Sequence, residues 1–77
     1  MRRSEYIKDA YLFGHKVRNA RLSEKRILSD IASNVGITES YLSRVENCTQ
    51  TPRVNIALKI ARELGMAEES TLAIFEA

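Results

Sequence analysis

Two apolar stripes with helical spacing meet at Gly36, and that junction leaves few folds open to the chain. Before it, Leu28, Ile31, Ala32 and Val35 recur three and four residues apart, which places them on one helix face. After it, Tyr41, Leu42 and Val45 do the same. Glycine takes φ > 0 without a Cβ clash, so Gly36 can reverse the chain between the two helices. Thr38 follows at an N-cap position, where its hydroxyl can accept an orphan backbone N–H. Ala32 is small, which lets the second helix cross close above the first. The pattern is helix, tight turn, helix.

The far side of the second helix has a different chemistry. Glu39, Ser40, Ser43 and Arg44 are short or polar, and the series ends in a guanidinium. Such a face fits the major groove of DNA, which admits one α-helix. Arg44 could bond guanine O6 and N7 together through its fork, and Glu39 could accept from cytosine N4. Glu39 and Ser40 open the helix, where base contacts concentrate. Each has a blander reading. Arg44 could instead pair with Asp30 or Glu46, and Glu39 could simply complement the helix dipole.

The resemblance to a known family goes further than the spacing. Leu28-Ser29-Asp30-Ile31-Ala32, then Gly36-Ile37-Thr38, then Tyr41-Leu42-Ser43-Arg44-Val45-Glu46-Asn47 resemble the lambda-repressor-like (XRE) family of phage repressors and Cro proteins. Pro52-Arg53-Val54, Leu58-Lys59-Ile60-Ala61 and Leu64-Gly65 match that family's fourth helix. The similarity covers about residues 13 to 72. It implies an all-α, five-helix DNA-binding domain, with the helix-turn-helix at about residues 28–47. Thr38, Asn47, Thr49, Thr51 and Arg53 match positions that often touch phosphate in the family, although Thr38 and Asn47 could equally serve as caps. Arg21 and Glu46 match a structural salt bridge between helices 1 and 3.

The chain departs from the family in two places. Ile27 and Leu28 stand where the second helix usually opens with Ser or Thr and a phosphate-touching Gln; Ser23, Lys25 or Arg26 could substitute for that contact. Cys48 stands where the family usually has glycine, so Asn47 is expected to supply the left-handed conformation there.

The remaining periodicities fill in the other helices. Helix 1 is expected over residues 4–21, capped by Ser4 and two turns longer than usual. Helix 2 is expected over 28–34, helix 3 over 39–46 and helix 4 over 54–64. On helix 4, Val54, Ala57, Leu58, Ala61 and Leu64 point inward, Ile56 and Ile60 are extra apolar residues at its side, and Gly65 is the stop. A fifth helix is expected over 68–75, where Leu72, Ile74 and Phe75 leave apolar surface suited to a dimer interface. The alternative interface is helix 1 around Tyr6, Ala10 and Tyr11.

At 77 residues the chain is one small domain, marginal alone and helped by a second subunit. Its net charge of +2 is weak evidence for nucleic acid, but the first 26 residues carry eight Lys and Arg against three acids. No secretory or membrane-spanning run is present, so a cytoplasmic, nucleoid-associated protein is expected. His15 has no second ligand at metal spacing, and Cys48 has no His or Asp at nucleophile spacing. Cys48 is expected as an exposed loop thiol, with redox sensing a minor option. No cofactor, metal site or enzyme activity is supported. The expected function is a sequence-specific regulator that binds a double-stranded operator as a homodimer, similar to stand-alone phage repressors and restriction-modification controllers. An antitoxin-like or other partner-binding module with the same fold is the alternative, and a scaffold that has lost DNA binding is a third.

Overall fold

A computed structural model describes residue 7 and residues 9–66. The fold is all-α, with four helices among the described residues: α1 (Ala10–Ser23), α2 (Leu28–Val35), α3 (Glu39–Glu46) and α4 (Val54–Glu63). α3 packs against α1 and α2, and α2 also packs against α4. The expected fifth helix, with Leu72, Ile74 and Phe75, lies outside the described residues, as do Ser4 and Tyr6.

The start of α1 corrects the sequence expectation. Ile7 and Asp9 are not helical, so no continuous helix runs from residue 4. Asp9 is the N-cap, and its carboxylate accepts from the Leu12 N–H at 2.9 Å. Ile7 instead tucks into the core and donates its N–H to the Pro52 carbonyl. The apolar spacing at Ile7 and Ala10 reflected burial on both sides of a helix start, which periodicity alone reads as one helix.

The core is built from the predicted stripes. Phe13 and Val17 of α1, Ile31, Ala32 and Val35 of α2, and Leu42 and Val45 of α3 are buried together. Each large apolar side chain buried this way contributes about 1.5–3 kcal/mol. On α4 the stripe is rotated from the expectation. Ile60 is fully buried with Ala57, Ala61 and Leu64, whereas Leu58 is half-buried and outside the core cluster. Centred on Ala57, a 3.6-residue period brings Ile60 nearer the inward direction than Leu58.

All four helices end in the same device. The residue after the cap, or the cap itself, takes a left-handed conformation: Lys25 at φ 55°, Gly36 at 87°, Cys48 at 64° and Gly65 at 65°. In each case a later N–H folds back onto a last-turn carbonyl, as from Arg26 to Arg21, Ile37 to Ala32, Thr49 to Arg44 and Met66 to Ala61. Glycine fills this position without strain at two ends. At the others an L-residue is held there against a cost of roughly 1–2 kcal/mol. The expectation for Asn47 is therefore wrong: Asn47 has φ −87°, and Cys48 itself is left-handed.

Candidate nucleic-acid interface

α3 is fixed from three directions. At its start Thr38 is the N-cap, and its Oγ1 accepts from the Tyr41 N–H at 3.0 Å. Along its inner face Leu42 and Val45 are fully buried. At its end Glu46 is the one charged residue buried among the described residues. Its carboxylate accepts from Arg21 Nε at 2.7 Å and Nη2 at 2.9 Å, a bidentate pair. Arg21 Nη1 also donates to the Arg26 carbonyl. The hydrogen bond to Glu46 raises the Arg21 pKa, against the opposing pull of burial.

Close approach of α1 and α3 has a second cause. A Cβ on Gly14 would lie 2.4 Å from the Val45 carbonyl oxygen and 3.0 Å from Cys48 Sγ. Only glycine lets the two backbones meet here. Sequence reasoning missed Gly14, although an isolated glycine inside a helical pattern is the available signal. Cys48 is half-buried at this seam, with Sγ 3.5 Å from the Tyr11 carbonyl, and is not the exposed loop thiol expected.

With its inner face held, α3 turns Glu39, Ser40 and Arg44 to solvent, with Ser43 half-buried. Arg44 makes no ion pair with any described residue; Glu46, its expected rival partner, belongs to Arg21. Thr38, Asn47, Thr49, Thr51 and Arg53 are all exposed and flank α3 at its two ends. Asn47 donates weakly to Ser43 Oγ at 3.5 Å, and Thr49 Oγ1 donates to the Arg44 carbonyl at 3.3 Å. These bonds leave the outer atoms of the loop facing solvent.

The start of α2 is different in kind. Ile27 is its N-cap, exposed and without a side-chain cap bond. Of the residues expected to replace the missing phosphate contact, Arg26 is committed elsewhere. It donates to the Glu63 carboxylate and carbonyl and lies 3.7 Å from Glu24. Ser23 and Lys25 remain exposed. His15 is exposed and packs edge-on against Tyr11, ring centroids 4.5 Å apart. No group of three or more His, Cys, Asp or Glu suited to a metal occurs among the described residues. No helix there is long and apolar enough to cross a membrane.

A short α2, a left-handed glycine and an α3 with one buried and one polar exposed face make a helix-turn-helix. A family model described as helix-turn-helix matches residues 17–69, more than half of the chain. The chain belongs to the lambda-repressor-like helix-turn-helix family. That family consists of DNA-binding transcriptional regulators. No curated protein sequence matches the chain. Solved structures do. The restriction-modification controller protein C.AhdI from Aeromonas hydrophila is 24% identical, with a TM-score of 0.73 over 82% of this chain and 96% of that one. At that identity the likeness shows the fold alone. The N-terminal DNA-binding domain of SinR from Bacillus subtilis is 26% identical, with a TM-score of 0.69 over 79% of this chain and 90% of that domain. SinR, the master regulator for biofilm formation, in complex with DNA, is 28% identical, with a TM-score of 0.68 over 78% of this chain and 97% of that one.

Proposed function

We propose that this helix-turn-helix protein reads a specific double-stranded operator, with α3 in the major groove. The observation that carries the reading is Arg44. It is a cation on the solvent face of a rigidly seated helix, unpaired among the described residues. In this reading Glu39, Ser40, Ser43 and Arg44 face base edges. Thr38, Asn47, Thr49, Thr51 and Arg53 hold the phosphates on either side, which sets register without reading sequence. Similarity to SinR, solved in complex with DNA, supports DNA binding.

The active form in this reading is a homodimer. One recognition helix reads a short half-site, whereas a two-fold pair reads two half-sites about 34–36 Å apart. Leu72, Ile74 and Phe75 supply the apolar surface for an isologous contact. The mechanism is occupancy of an operator near a promoter, in the cytoplasm at the nucleoid. Selection of bound sites from random DNA tests all of this together. A palindromic site with half-sites one helical turn apart is the expected result. Recovery of no enriched sequence would overturn sequence-specific binding and favour an antitoxin-like, partner-binding role.

A further inference from the structure

α2 is the helix with the least local support. It has eight residues, and Ile27 gives it no side-chain cap. A segment of this length is not stable alone. Its buried stripe fixes which face turns inward, and side-chain packing leaves roughly 15–20° of scatter in how the helix is pitched. A polar contact can select within that range. The two residues that bracket the helix, Arg26 just before its N-cap and Asn34 in its last turn, both donate to the same atom, Glu63 Oε2. Arg26 Nη1 donates to the Glu63 carbonyl as well, at 2.9 Å. Glu63 is the last residue of α4, where a carboxylate is disfavoured by the helix dipole. Arg26 offsets that charge and gives a C-terminal carbonyl of α4 its donor.

We propose that Glu63, through Arg26 and Asn34, is a positioning residue of the DNA-binding surface: one carboxylate clamps both ends of α2 and thereby sets the pitch of the helix-turn-helix. Arg26 is part of this clamp and not a phosphate contact. The path to α3 is short, because α2 packs directly on it and joins it through Gly36. The inference rests on the DNA-binding reading for its effect on affinity, but the clamp itself does not need DNA.

The sign of one substitution separates the two roles. Removing a negative charge from a DNA-binding protein should strengthen binding if charge alone matters. As a positioning residue, Glu63→Ala weakens it. The test measures affinity for a selected operator against salt for the parent, Glu63→Ala, Arg26→Gln and the double variant, with amide hydrogen exchange of the DNA-free proteins. Binding by Glu63→Ala should be on the order of fivefold weaker, within the range of mutations that act on a site indirectly. The salt slope should be unchanged in Arg26→Gln, the double variant should be no weaker than either single, and α2 amides should exchange faster while those of α1 and α3 do not. Tighter or unchanged binding by Glu63→Ala would overturn the proposal. So would a fall of about 1 in the salt slope of Arg26→Gln, which would make Arg26 a phosphate contact. If the parent binds no DNA, the DNA-binding reading fails, and exchange alone decides: unchanged α2 exchange in Glu63→Ala then overturns the clamp.

Discussion

The two arginine–glutamate pairs of this domain hold different helices by different physics. Arg21–Glu46 joins α1 to α3 with side-chain exposures of 15% and 5%; Arg26–Glu63 joins the α1–α2 connector to α4 with exposures of 26% and 24%. The first is the more buried of the two, and a lost partner there strands a charge. The second is half-buried and more accessible, so salt and water screen it more. The helix that carries the proposed base readers is thus held by the more buried pair, and the helix that supports it by the more accessible one.

The contrast can be broken most severely at Glu46. Glu46→Ala leaves the Arg21 guanidinium without its bidentate acceptor and should cost roughly 3 kcal/mol or more, read by denaturant unfolding. Next is Gly14→Ala, which forces α1 away from α3. Overpacking of this kind costs about 1–3 kcal/mol, only partly offset by the better helix propensity of alanine. Cys48→Gly acts in the other direction. It relieves the left-handed φ at the end of α3, and the more flexible unfolded chain and the lost Sγ contact to the Tyr11 carbonyl take back part of the gain, so stability should rise by at most about 1 kcal/mol.

The smallest effect belongs to the less buried pair and should be visible chiefly in its pH dependence. Hydrogen bonds from Arg26, then Asn34, hold the Glu63 carboxyl below its ordinary value of 4.5. A depressed carboxylate stabilises the fold above its unfolded pKa and stops doing so as pH falls through its folded pKa. The stability difference between the parent and Glu63→Gln should therefore be full at neutral pH, shrink below about pH 4.5 and be reduced by salt. Thermal unfolding across pH and ionic strength checks this; a difference that persisted in strong acid would assign it to packing.

Much of this arrangement was legible in the chain itself. The stripes of α2 and α3, the turn at Gly36, the Thr38 cap and the bounds of α3 follow from period and local chemistry. Those signals are short-range, and the structure agrees with them. Of the features that were not legible, three show why. Ile7 is apolar because it is buried, not because it is helical, and spacing does not separate the two. Cys48 is left-handed because a back-folded N–H at Thr49 demands it, which residue preference assigned to Asn47. The Glu63 clamp joins residues 26, 34 and 63, whose charges look like any solvated face until the fold brings them together. For the proposed interface, the sequence shows which residues are polar on α3. Only the structure shows that Arg44 is left without an ion pair among the described residues while Glu46 is taken by Arg21.

Arg44 is the residue on which base reading by α3 depends most directly. Arg44→Ala should be compared with the parent for binding to a selected operator and to each single-base variant of it, with unfolding measured on the same samples. Unchanged unfolding is expected, with loss of discrimination at one base pair per half-site, worth about 1–3 kcal/mol for a bidentate contact. A variant that unfolds like the parent yet keeps full discrimination at every position would contradict the placement of α3 in the major groove with Arg44 as its reader.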